Sequence, residues 1–541
     1  MAKSSNKNNF LIQGSILAIS SILSRFIGML YRIPLTNIVG DVGMGYYGSA
    51  YELYNLALIL SSYSIPVAVS KLVSMRESDK QYRNAFRVFK LALSVAAIVG
   101  GLASVIVYLA ADAWAKLVGD MPVAIPLRVL APTIFVFAIM GVFRGYFQGK
   151  RTMIPTAFSQ LLEQIVNAFV SVFAAYRLMQ LHNASVDVEA YGAAGGTMGS
   201  LVGAIAGLVF LLFIYALNHA YIHKKVRKDR TPDTESYSEL FYAFLVTVIP
   251  IILSQTVYQL SGTIDNAIFG QVMERVAPGE DTSLLWGLYS NKYRLLTNLP
   301  VAVATALGTS IVPALSKTYV AGDRKGVRHK IASAVKFNML IAIPAAVGMG
   351  VLAKPIILLL FSNTEIELSA KLLTCGSVAI VFFAYSTLTN GILQGINRMK
   401  QPVYHAAISL AIHVGVLFLL LSVFELSVYG LVIGNVFYAF CVSVLNWNAI
   451  QKYAHYRQEV LSTFVMPLIC SAVMGAVAYL VYQGIYRLCS NNLAALLPAV
   501  VLAVLVYGLM LVFTKTISEQ EILGFPKGNV LLRILQKMHL V

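Results

Sequence analysis

The chain has 541 residues, of which 58% are hydrophobic and only 12% charged, about half the charged share of a typical soluble protein. That composition excludes a soluble enzyme, a fibre and a disordered tail, and makes lipid the solvent for most of the chain. A formal charge of +17 would suggest nucleic acid in a soluble protein, whereas in a membrane protein it asks which side the cations occupy.

A helix crosses the bilayer with about twenty apolar residues. Cutting the sequence at charge clusters and at Gly, Pro and Asn loops predicts an all-α polytopic membrane protein of fourteen transmembrane helices. They fall at 10–38, 45–70, 88–111, 126–148, 153–180, 192–219, 239–272, 284–315, 333–361, 370–396, 402–424, 427–451, 462–487 and 493–515. The first contains two arginines and lacks a small-residue cleavage site, so it reads as a retained span rather than a signal peptide. Tyr221 to Ser238, with the run HKKVRKDR, forms a basic linker, and no connection has room for a catalytic domain. Cys375, Cys441, Cys470 and Cys489 lie apart in apolar stretches and read as small core hydrophobes.

With both termini on the cytoplasmic side, and with charges near a span end, such as Arg144, counted with the adjoining connection, 30 of the 41 basic residues fall inside, 7 outside and 4 (Arg25, Arg32, Lys292, Arg294) within spans. The acids divide as 10 inside, 11 outside and 3 (Glu52, Glu163, Asp265) within spans. This is the positive-inside pattern, and the excess of cations is explained by topology without nucleic acid.

Gly145-Tyr-Phe-Gln148-Gly149 recurs as Gly391-Ile-Leu-Gln394-Gly395, and Ser70-Lys71 as Ser316-Lys317, both at an offset of 246. Tyr47 and Tyr51 recur as Tyr289 and Tyr293 at 242. The offset spans six helices, so the copies run parallel, as in transporters built from two repeated lobes. The expected organisation is an N-lobe at 1–228 and a C-lobe at 229–458. Two extra helices at 459–516 and a cytoplasmic, amphipathic tail at 517–541 follow.

Arg25 and Arg32 lie seven residues apart in the first span, which puts them on one helix face about 10 Å apart along the axis. Lys292 and Arg294 in the eighth span cannot share a face. Arg294 is assigned to the cleft, and Lys292 to the other side or to a partner the sequence does not name. Tyr51 aligns with Tyr293 in the repeat, so Glu52 falls opposite Arg294 and is expected to form a gating pair with it. Asp265 and Glu163 are the remaining membrane acids, with Asp265 the candidate for cation coupling. His405 and His413 read as hydrogen-bonded structural residues. Several cations converging on a cleft point to an anionic substrate. Planar guanidinium groups suit phosphate oxygens, and a hydrophobic edge would accept a lipid tail.

Ser24-Arg25-Phe-Ile-Gly28, the run Ile65-Pro66-Val67-Ala68-Val69-Ser70-Lys71, the run Ala306-Leu307-Gly308-Thr309-Ser310-Ile311-Val312-Pro313 and both G-x-x-Q-G copies resemble the MurJ and SpoVB-like lipid flippases. These belong to the multidrug/oligosaccharidyl-lipid/polysaccharide exporter superfamily. The resemblance implies a V-shaped transporter, not an enzyme, that carries lipid II from the inner to the outer leaflet of the bacterial cytoplasmic membrane by alternating access. It assigns Arg25, Arg32 and Arg294 to substrate binding, with Glu52 and Lys292 beside them. It makes Asp265 the metal candidate, although the eleventh-span partners of that aspartate in sodium-binding members are absent. It implies no bound cofactor, with Na+, H+ or the membrane potential as the drive. The implied partners are an undecaprenyl-diphosphate-linked lipid, membrane lipids and the cell-wall synthesis machinery, with the protein a monomer and the last two helices a groove for the prenyl tail. Alternatives are a flippase for a teichoic, capsular or sporulation saccharide, or a cation-coupled multidrug exporter.

Overall fold

The computed structural model describes residues 16, 17, 19–229, 231, 234–361 and 364–517. Lys3, Lys7 and the tail from 518 onward lie outside the described residues. Every regular element among those described is helical. Residues 19–30 form α1. There follow α2 (Arg32–Leu58), α3 (Ile65–Ser78), α4 (Tyr82–Leu109), α5 (Ala111–Leu117), α6 (Ala124–Gly149), α7 (Ile154–Leu181), α8 (Val188–Lys228), α9 (Tyr237–Val276) and α10 (Thr282–Gly287). The chain continues through α11 (Arg294–Val320), α12 (Arg324–Val351), α13 (Ala353–Leu360), α14 (Glu367–Gly376), α15 (Ala379–Gly395), α16 (Lys400–Ser422), α17 (Ser427–Ala454), α18 (Met466–Cys489) and α19 (Asn492–Phe513).

Among the described residues, 12 helices are long and apolar enough to cross a membrane, or 13 if α14 and α15, bent by 47°, count as one span. This falls short of the fourteen expected, and the difference lies in Ile19–Ser78, a run of 60 residues holding the first two expected spans. If straight it would extend about 90 Å, three times the hydrocarbon thickness. Gly40 interrupts it with φ 78 and ψ 174, a conformation essentially reserved for glycine. The chain therefore changes direction at Gly40, inside the connection expected between spans 10–38 and 45–70.

The structure divides into two compact units between Asn291 and Lys292, not at the repeat boundary of 228/229. The helix α9, expected to open the second lobe, packs on α2, α3 and α4 of the first unit. At its start, Ser236 caps the helix in a reciprocal capping box with Glu239.

In the first unit α7 and α8 form the closest pair. Gly195, Gly199, Gly203 and Gly207 repeat every fourth residue along α8, and this stripe lets the two backbones touch. A methyl group on Gly199 would lie 2.6 Å from the carbonyl oxygen of Asn167, and one on Gly203 would lie 2.6 Å from that of Glu163. Ser171 Oγ donates across the seam to the Gly196 carbonyl at 2.7 Å. The seam thereby fixes the height and rotation of Glu163 and Asn167.

The internal repeat reappears as equivalent packing inside each unit. Gly145 and Gly149 of α6 rest on Pro66 and Val73 of α3, while Gly391 and Gly395 of α15 rest on Gly308 and Leu315 of α11. Subtracting the offset of 246, the second contact is displaced by four residues, one helical turn. In the second unit α18 and α19 pack on α12 and α13 through Met474, Ala478, Leu496 and Leu352. Their outer faces expose Leu480, Leu497, Val501 and Val504, as helices solvated by lipid do.

Gly199→Leu is expected to split the α7–α8 seam and lower the thermal midpoint of the purified protein, a destabilisation of about 1–3 kcal/mol. Gly415→Ala, at a helical site with nothing within 4 Å of the added carbon, should leave the midpoint unchanged or raise it.

Candidate functional site

The break at Gly40 and the α7–α8 seam together frame a cavity of about 440 Å³ inside the first unit. Its wall carries Arg25, Arg32, Arg144, Glu163, Gln160 and Ser24, with Tyr31, Tyr51 and Tyr54 as aromatic lining. The seven-residue spacing of Arg25 and Arg32 has the expected result, since both face this one space from the same stretch of helix. Three guanidinium groups stand against one carboxylate there, so the cavity is net positive.

The cations are held differently. The Arg32 guanidinium carbon lies 5.5 Å from the ring centre of Tyr47 and 5.7 Å from that of Tyr51. These two rings are only 4.4 Å apart, and Tyr47 shares a hydroxyl hydrogen bond of 2.9 Å with Tyr31. Aromatic faces attract the cation without neutralising it. Arg32 Nε and Ser24 Oγ are both buried without a protein hydrogen-bond partner. Arg25 is exposed in the cavity wall.

Arg144 is the residue that sequence reasoning missed, having been counted with the cytoplasmic loop charges. It is 9% exposed and its Nη2 donates to Glu163 Oε2 at 2.7 Å, while its Nε donates to Ser159 Oγ at 3.0 Å. Gln164 Nε2 donates to the other carboxylate oxygen of Glu163 at 3.1 Å. The signal was the short break at 150–153 between α6 and α7. A helical hairpin turning there brings a residue some seven positions before it level with Ser159 and Glu163.

Other candidates are not among the residues that line this cavity. Glu52 is buried and turned toward α9, where Gln259 Nε2 donates to its carboxylate at 3.3 Å and Thr263 Oγ1 to its backbone carbonyl at 3.3 Å. Arg294 is half-buried at the first position of α11 in the second unit. Lys292, next to it, is 0% exposed. Its ammonium donates to the Glu365 carbonyl at 2.9 Å and to Ser369 Oγ at 3.1 Å, which supplies the partners the sequence could not name and closes this lysine off inside the second unit. His405 and His413 are structural, bonded to Asn446 Oδ1 at 2.7 Å and the Gly434 carbonyl at 3.0 Å.

Asp265 is 3% exposed and accepts from Ser261 Oγ at 3.5 Å. Among the described residues no group of three His, Cys, Asp or Glu is placed to hold a metal ion.

A sequence-family model described as polysaccharide biosynthesis protein matches residues 11–319, and a second, MatE, matches residues 294–419. The lipid II flippase MurJ of Bacillus subtilis (strain 168) is 27% identical over 482 residues, covering 86% of this chain and 87% of that protein. Stage V sporulation protein B of the same organism is 23% identical over 537 residues, covering 97% of this chain and 100% of that protein. Among solved structures, a lipid II flippase MurJ in an inward closed conformation superposes with a TM-score of 0.66 at 16% identity, over 91% of this chain and 97% of that one. An inward-facing multidrug resistance MATE family transporter of the MOP superfamily gives 0.64 at 16% identity, over 82% and 98%. At these identities the structural likeness establishes the fold.

Removing one partner of a buried ion pair costs about 3–5 kcal/mol because the other charge is left unmatched. Arg144→Ala and Glu163→Ala are each expected to lower the thermal midpoint sharply. The double variant should lose less than the sum of the two, read as a positive coupling in a double-mutant cycle.

Proposed function

The chain belongs to the polysaccharide biosynthesis protein family, and from that premise we propose that it is a multi-pass membrane flippase for a lipid-linked saccharide, with lipid II as the substrate. The observation that carries this reading is the cavity in which Arg25, Arg32 and Arg144 face one space with a single carboxylate among them. A diphosphate offers several oxygens to planar guanidinium donors, and such charge-assisted hydrogen bonds are each worth about 1.5–3 kcal/mol. The unpartnered Arg32 Nε and Ser24 Oγ supply donors that need no rearrangement to meet it. Arg144 is already neutralised by Glu163, so it enters as a reserve cation.

The likeness to a sporulation protein over its whole length supports a second reading, a flippase for another undecaprenyl-diphosphate-linked saccharide. Arginine recognition of a diphosphate is indifferent to the sugar. A multidrug exporter of cationic compounds fits less well, because like charges in the cavity would repel them. The proposed drive is the membrane potential. An inside-negative potential favours outward movement of each negative charge by about 2.3 kcal/mol per 100 mV.

In a host lacking a redundant flippase, depletion of the protein should trap lipid II in the inner leaflet, and unchanged export would remove the lipid II assignment. Arg25→Ala, Arg32→Ala and Arg294→Ala are each expected to abolish complementation while inserted protein persists. Arg32→Lys should restore it only in part, since an ammonium lacks the planar fork.

Flux in proteoliposomes is expected to follow the imposed potential. Flux that followed sodium instead, and lost that dependence in Asp265→Asn, would move the drive to a coupled cation.

A further inference from the structure

A second cavity, of about 650 Å³, lies at the end of α8 where the basic linker begins, lined by Arg83, Ala220, His223, Lys224, Arg227 and Asp229. Ala220, His223, Lys224 and Arg227 are spaced i, i+3, i+4 and i+7, so they form one face of the last two turns of α8. Arg83 comes from the first turn of α4. The two helix ends are pinned together by the Arg83 backbone N–H, which donates to Asp229 Oδ2 at 2.6 Å.

The cations of this cavity, Arg83, Lys224 and Arg227, outnumber its one carboxylate. Asp229 Oδ1 accepts from the Thr231 N–H at 2.9 Å and from the Thr231 hydroxyl. Burial by itself would raise the pKa of the Asp229 carboxyl, but the hydrogen bonds from Thr231 and the Arg83 N–H, with the Arg83 charge, outweigh it and hold that carboxyl below its usual range. Among the described residues the ion pairs take in Arg76 with Glu235 and Lys150 with Glu77, and none involves Arg83, Lys224 or Arg227.

Positive-inside topology and the helix dipole account for cations near this helix end. Neither accounts for their gathering from two helices around a concavity. The same face of α8, continued back into the membrane by three, seven and eleven residues from Ala220, presents Leu217, Phe213 and Val209, all exposed. Charge therefore stands above an unbroken apolar stripe, the profile of a phosphate headgroup above its acyl chain. The depth agrees, since the sequence ends this span at residue 219 and basic pockets at that level suit anionic lipid headgroups. Tyr82 and Tyr221, each beneath the Lys225 ammonium at 5.1 and 5.0 Å, supply the aromatic rings typical of the interface.

We propose that this cavity binds the phosphate headgroup of an anionic phospholipid, with its acyl chain along Val209, Phe213 and Leu217, as a site separate from the transport cavity. The test is native mass spectrometry of the full-length protein in detergent, titrated with phosphatidylglycerol or phosphatidylethanolamine. The wild type should retain phosphatidylglycerol preferentially. Arg83→Gln/Lys224→Gln/Arg227→Gln should lose that preference by at least about tenfold. Arg324→Gln/Lys325→Gln/Arg328→Gln, an equal loss of charge at the exposed start of α12, should keep it. Phe213→Ser/Leu217→Ser, which leaves every cation in place, should weaken retention as well and serves if the first triple variant fails to fold. Equal loss in both triple variants, unchanged retention in the cavity variant, or displacement of the lipid by millimolar inorganic phosphate would overturn the proposal. The readout involves no transport, so it stands or falls apart from the choice of transported lipid.

Discussion

A guanidinium group taken into hydrocarbon costs about 2.5–3.5 kcal/mol at a helix centre by insertion scales, and the first unit meets that cost in two ways within one cavity. Arg144 is paired with Glu163 at 2.7 Å, which neutralises it. Arg32 is laid over Tyr47 and Tyr51, which attract the charge but leave its Nε without a protein partner. The same constraint thus yields one cation paired within the protein and one that lines the cavity with an unpartnered Nε.

That division depends on backbone geometry. Glu163 reaches Arg144 because α7 lies against α8 along a stripe of glycines, and because a short turn between α6 and α7 keeps their adjoining ends close. Tyr47 and Tyr51 reach Arg32 because the chain bends at Gly40, whose φ of 78 a residue with a Cβ adopts only at a cost. Packing and electrostatics are therefore not separate contributions here. A side chain larger than hydrogen in the seam would move a carboxylate as well as a helix.

The second unit shows the same rule applied to structure alone. The Lys292 ammonium is enclosed by a carbonyl and a hydroxyl, and His405 and His413 by an amide oxygen and a carbonyl. Each of these three groups finds a fixed partner, so none of them needs a ligand to explain its presence. A charge in a span is evidence of function only after its partners are known.

The sequence by itself determined the membrane class, nearly all of the helices, the parallel repeat and the convergence of Arg25 with Arg32. Hydropathy, the positive-inside bias and helical periodicity are local or counted properties and need no knowledge of neighbours. Only the tertiary structure decided that Arg144 belongs to the cavity, that Lys292 is enclosed within the second unit and Glu52 faces α9, that α9 packs with the first unit, and that the first two expected spans run as one broken helix. Those outcomes turn on which face of one helix meets which face of another, and on a single glycine dihedral. A one-dimensional pattern of charge and hydropathy carries neither, because a buried arginine at a helix end reads the same as a solvated one until its carboxylate partner is brought beside it.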